Sequence, residues 1–147
     1  MLTHQIETII EIQTTPDVVW KHLMGFNSYP DWNPFIKHIN GSPTVGTKLE
    51  ITVQPVGGQA MSFEPRILTS EKAVEFRWLG HFLFSGLFDG EHYFLLNATS
   101  DGHTKLIHGE RFSGLLIPFF RNLLETQTKP GFEEMNQALK VRSEQSQ

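Results

Sequence analysis

The stretch from Phe112 to Ser143, FSGLLIPFFRNLLETQTKPGFEEMNQALKVRS, reads as one long amphipathic helix. Gly114 and Pro118 lead into it and Pro130-Gly131 interrupts it. The expected span is Pro118 to Arg142, bent near Pro130 because proline removes a backbone donor and clashes with the preceding turn. Leu116, Phe119, Phe120, Leu123, Leu124, Phe132, Met135 and Leu139 supply its apolar side. A helix of this length needs a broad apolar surface to lie on. Apart from a short helical insertion, everything before it reads as strands, so the expected surface is a curved antiparallel sheet.

Residues 5–13 alternate, with Ile6, Thr8, Ile10 and Ile12 on one face and Ile9 as an apolar residue on the other. Thr15-Pro16-Asp17 opens a helix: Thr15 suits the N-cap, Pro16 the first helical position and Asp17 the positive end of the dipole. It fails at Gly25, and a second short helix follows, capped by Ser28 or Asn27 and stopped by Pro34. Strands are then expected at 35–40, at 48–54, and from Met61 through Phe63 to Ile67, where Pro65 signals an edge or a bulge. Val74, Phe76 and Trp78 share a face of the next strand. The glycine-punctuated, Phe-rich stretch 80–90 leads to a strand over 88–98, a turn at 99–103 and a last strand over 105–112. The order is strand, two short helices, six strands, long helix: a single domain over 1–147 of α+β class.

Several local stretches in this order carry a resemblance. Pro16–Trp20 (PDVVW), Tyr29–Phe35 (YPDWNPF) and Gly131–Asn136 followed by Ala138-Leu139-Lys140 resemble the START-like helix-grip superfamily, often called SRPBCC, and its small polyketide cyclase/dehydrase group. The superfamily also contains the pollen-allergen-type lipid-binding proteins. The resemblance implies a seven-stranded antiparallel sheet gripping the C-terminal helix around an apolar cavity. It implies no universal catalytic residue, because members include carriers, enzymes and partner-binding modules.

Alternation supplies the inward side chains. If 99–103 form the turn, Ala98 pairs with Thr104, which places His92 opposite Glu110 and Phe94 opposite His108. Three titratable groups then gather on one inner patch. Three readings stay open: a polar anchor for a mostly apolar ligand, a general base with Glu110, His92 or His108 as acid/base groups, and a buried His–Glu hydrogen bond that only satisfies its partners. The expected ligand-lining set is Trp32, Phe63, Phe76, Trp78, His92, Phe94, His108, Glu110, Phe112, Leu116, Phe120 and Leu124. Two histidines and a glutamate at this spacing have no diagnostic metal pattern, so neither metal nor cofactor is expected.

Composition removes other classes. The net charge is -4 without a long basic run, which argues against nucleic acid. Cysteine is absent, so thiolate chemistry and disulfides are excluded. No apolar stretch reaches the ~18 residues of a membrane span, and the N-terminus lacks a secretory pattern, so no stable membrane insertion and a cytoplasmic setting are expected. Twelve phenylalanines against two tyrosines point to an apolar core or pocket. The expected function is binding of a small hydrophobic molecule, by a monomer or homodimer, for carriage, sensing or sequestration. The alternatives are a cyclase/dehydratase-like lyase using Glu110 and a histidine, and an interaction module using Ile9, Leu95 and Ile107 on the outer face.

Overall fold

The structure is a computed structural model that describes residues 2–146. Strand β1 (Thr3–Ile12) is followed by α1 (Pro16–Met24), a 3₁₀ turn (Phe26–Ser28) and α2 (Tyr29–Trp32). Seven strands come next: β2 (Ile36–Asn40), β3 (Glu50–Val53), β4 (Met61–Phe63), β5 (Arg66–Glu71), β6 (Glu75–His81), β7 (Asp89–Ala98) and β8 (Thr104–Ser113). The chain closes with α3 (Ile117–Leu123), a π turn (Leu124–Thr128) and α4 (Lys129–Gln145). Thr15 caps α1 as its sequence predicts, its hydroxyl oxygen accepting from the Val18 amide. Ser28 stands at the N-cap of α2 without a side-chain cap bond, and Asn27 lies inside the 3₁₀ turn. Asn33 does the local work at the other end, its Oδ1 accepting from the amides of Phe35 and Ile36 and folding the chain around Pro34 into β2.

The strands form two antiparallel sheets, β1-β8-β7-β6-β5 and β2-β3-β4, rather than one seven-stranded sheet. Pro65 explains the difference. It has no amide proton to give a ladder, so the strand expected across 61–67 divides into β4 and β5. The two sheets still meet at this gap. Lys48 bridges Arg66, the Leu49 amide donates to the Pro65 carbonyl (2.8 Å) and the Ile67 amide to the Thr47 carbonyl (2.9 Å).

The register expected for the last two strands holds: His92 faces Glu110, Phe94 faces His108 and Ala98 faces Thr104. The turn fixes it, with the Thr99 amide donating to His103, the Gly102 amide to Thr99, and Gly102 in the left-handed region that glycine tolerates. On the outer face Tyr93 crosses its cross-strand partner Gly109 to donate to Glu7 on β1 (2.6 Å). Arg77 lies over the Tyr93 ring and pairs with Glu75 and Glu91. Ile9 is exposed there, while Leu95 and Ile107 are half-buried.

The C-terminal segment is one uninterrupted helical run, α3, the π turn and α4 in direct succession, and its irregularity lies at the π turn just ahead of Pro130. Pro130 cannot donate to the turn before it, and the strain is taken up ahead of it by the π turn, closed by the Lys129 amide on the Leu124 carbonyl. The Gln127 carbonyl is captured from outside by the Val56 amide (3.0 Å). Past the proline, α4 buries Phe132, Met135, Asn136 and Leu139. Gly131 is needed there, because a Cβ would lie 2.5 Å from the Phe35 ring. Before the proline, α3 does not cover the sheet as its apolar content suggests: Phe119 is 78% exposed and Leu123 is also exposed. No described helix is long and apolar enough to cross a membrane.

Candidate functional site

The inner face of the five-stranded sheet is organised in cross-strand rows. One row runs Phe76, Phe94, His108, Thr8 across β6, β7, β8 and β1. The next runs Trp78, His92, Glu110, Ile6, and the third Gly80, Gly90, Phe112, His4. The middle row carries His92 and Glu110, with His108 beside them in the first row. The two glycines beside the middle row leave room that any side chain would fill: a Cβ on Gly90 would meet Glu110 Oε2, and one on Gly80 would meet the Phe63 ring at 3.3 Å.

A chain of hydrogen bonds crosses the rows into the C-terminal helix. Glu110 Oε1 lies 3.0 Å from His92 Nδ1, and His92 Nε2 lies 2.8 Å from His108 Nε2. His108 Nδ1 lies 2.7 Å from Asn136 Oδ1 on α4. Asn136 Nδ2 donates to Thr8 Oγ1 (2.8 Å), and the Thr8 hydroxyl donates to the His108 carbonyl (2.8 Å). Aromatic faces close over both imidazoles. Trp78 stacks on His92 at 4.6 Å between centroids, while His108 is held between Phe94 (4.4 Å) and Phe132 (4.2 Å).

This packing sets the protonation. Burial pulls His92 down to about 3. Burial first, and the neighbouring His92 second, hold His108 well below its ordinary value. Burial pushes Glu110 up to about 8. All three shifts disfavour charge, as expected where water is excluded. The carboxyl is also the accessible end of the chain: the Glu110 side chain keeps 13% exposure and His92 behind it 3%. The ring nitrogens and the carboxyl point at one another rather than at a shared centre, a poor arrangement for a metal ion.

The expected lining residues divide into groups. His92, His108, Glu110, Trp78 and Phe94 come together as described, and Phe63 lies over Gly80. Phe112 meets Phe88 at 5.7 Å, and Phe88 meets Phe120 at 5.2 Å, a second cluster towards α3. Leu124 is buried, and Leu116 is half-buried at the start of α3. Phe76 meets Trp78 edge-on at 5.6 Å and also packs against Trp20 of α1 and Phe26 of the 3₁₀ turn. Trp32 meets Tyr29 edge-on and borders a surface groove of about 630 Å³ along α4, apart from the titratable groups. Sequence reasoning missed Thr8, Asn136, Gly80 and Gly90 as site residues. Asn136 had a signal, since a polar residue four positions after Phe132 interrupts the buried stripe of α4.

The profile of a sequence family described as "Polyketide cyclase / dehydrase and lipid transport" matches residues 3–144. No curated protein matches the sequence. Among solved structures, the chain resembles the Zhui aromatase/cyclase from Streptomyces sp. R1128 (TM-score 0.79, 14% identity, 98% of this chain and 95% of that one). It also resembles a point mutant of Thalictrum flavum norcoclaurine synthase (TM-score 0.76, 13% identity, 99% and 96%). A START superfamily protein from Mycobacterium smegmatis is similar as well (TM-score 0.74, 19% identity, 98% and 99%). At these identities the likeness is one of fold.

Proposed function

The chain belongs to the polyketide cyclase / dehydrase and lipid transport family, with the START-like helix-grip fold, and we propose that it binds a small, largely hydrophobic molecule between the sheet and the C-terminal segment, for carriage, sensing or sequestration. The observation that carries this reading is the Glu110 carboxyl. It is the accessible end of a buried hydrogen-bonded chain, it lies over Gly90, and it sits one row from Phe112 and the Phe88–Phe120 cluster. One oriented polar group among apolar walls is how such sites fix a greasy ligand. The test is native mass spectrometry of the purified protein. A co-purifying small molecule is expected, and Leu124→Phe, which enlarges a buried side chain of the C-terminal segment, is expected to release it. Absence of any bound molecule, together with no binding of an apolar fluorescent probe, rules the reading out.

A second reading has one specific observation behind it. An acid held at about 8 is poised to exchange a proton near neutral pH, which a cyclase or dehydratase-type lyase requires of its acid/base group. In that reading Glu110 and His92 are the acid/base pair. Glu110→Gln separates the two: turnover of the eventual substrate collapses in an enzyme while binding persists.

A further inference from the structure

The hydrogen-bonded chain has a direction, and the direction is set at its far end. The His108 backbone carbonyl can only accept, so the Thr8 hydroxyl donates to it. That spends the hydroxyl proton, so Thr8 Oγ1 accepts from Asn136 Nδ2. The Asn136 amide is thereby oriented, and its Oδ1 accepts from His108 Nδ1–H. Neutral His108 then has only a lone pair on Nε2 and accepts from His92 Nε2–H. Neutral His92 has only a lone pair on Nδ1, so Glu110 Oε1 carries the proton that joins them.

Glu110 Oε2 is left as the carbonyl oxygen of a neutral acid. If the shared proton moves onto His92, Oε2 becomes part of a carboxylate. It is an acceptor in either state. For Glu110 to donate outward, its proton must leave His92 Nδ1, and that buried nitrogen would lose its only partner.

We infer that the molecule bound beside Glu110 donates a hydrogen bond to Oε2, which makes the ligand class a hydrophobic alcohol, phenol or enol rather than a ketone, quinone or ether. This rests on the proposed binding site and specifies its chemistry. A site whose polar group can only accept discriminates strongly, because a ligand carbonyl placed there faces another oxygen lone pair and leaves both unpaired.

The test uses α-tetralol, α-tetralone and the parent hydrocarbon tetralin, which share one apolar frame and differ in the single polar group. Isothermal titration calorimetry on the full chain should show the alcohol binding roughly tenfold or more tighter than the ketone. Glu110→Gln should keep the preference, because the amide donates its N–H to His92 and still presents an oxygen outward. Glu110→Met should erase it while the hydrocarbon still binds. Binding of all three frames with the ketone equal to or tighter than the alcohol overturns the inference and leaves the binding site standing. Binding of none of the three overturns the site itself. Loss of the preference in Glu110→Gln overturns the assigned direction of the chain.

Discussion

Phe132 lies flat on the imidazole of His108, with ring centroids 4.2 Å apart and planes 7° apart. Phe94 covers the other face, so the imidazole has no route to solvent except through its hydrogen bonds. Phe132→Ala should destabilise the protein by about 3–5 kcal/mol, the range for a large buried aromatic. Water admitted to the space should also bring the His108 pKa back up towards its ordinary value, because burial is the main cause of its depression. An NMR titration of the His108 ring reads this directly. An unchanged depression in the variant would mean that Phe132 is not what desolvates it.

Gly90 is the position that lets Glu110 lie down over β7. A Cβ there would reach the carboxyl end of Glu110, which is flexible and can be pushed away, and its three nearest neighbours all belong to that side chain. Gly90→Ala should therefore fold, with the His92–Glu110 hydrogen bond broken and Glu110 turned towards solvent. The expected readout is a Glu110 pKa that falls back towards 4.5, followed by carboxyl carbon shifts. Gly109→Ala is the contrast. Its Cβ would meet the Ile6 carbonyl at 2.7 Å as well as the Tyr93 ring, so it should lower stability by more.

The buried cluster gives stability a specific pH dependence. Glu110 is raised from 4.5 to about 8, so its contribution is fully present below 4.5 and is lost as pH rises through about 8. His92 is lowered from 6.5 to about 3 and His108 is lowered likewise, so theirs is present above 6.5 and lost as pH falls. Two histidines outweigh one carboxyl between 4.5 and 6.5. The cluster's contribution should thus rise to about pH 6.5 and decline from there to about 8. Denaturation midpoints of the wild type and Glu110→Gln across that range are the check. The variant should lose the alkaline decline. An equal decline in both would place the proton elsewhere.

Much of this arrangement was legible in the sequence because it depends on local rules. Strict alternation in β7 and β8 and a five-residue turn suffice to place His92 against Glu110. Thr15-Pro16 marks a helix start whatever the tertiary context. The remainder depends on contacts distant in sequence. Asn136 meets Thr8 across 128 residues of chain, and nothing local signals that pairing. Pro65 announced a disturbance, but whether it becomes an edge, a bulge or a gap between two sheets depends on what pairs with it. Phe119 and Leu123 of α3 matched the helical period yet stayed exposed while Ile117 is buried, because the π turn before Pro130 changes the face that the earlier turns present.

The direction of the hydrogen-bonded chain makes a last prediction that requires no ligand. Near neutral pH the two histidines should be fixed in opposite tautomers, His108 protonated on Nδ1 and His92 on Nε2. Long-range nitrogen–proton correlations in the rings distinguish these states from the reverse pair and from an imidazolium. Thr8 and Asn136 should be energetically coupled, since they share the anchor that orients the amide. Thr8→Val leaves Asn136 Nδ2 without its acceptor, and Asn136→Ala leaves His108 Nδ1 without its own. Each should lower stability by about 1–3 kcal/mol. The double variant should lose clearly less than the sum, with a coupling of about 0.5–3 kcal/mol by a double-mutant cycle. Additive losses would show that Thr8 does not orient Asn136. Reversed tautomers would show that the chain runs the other way, with Glu110 free to donate.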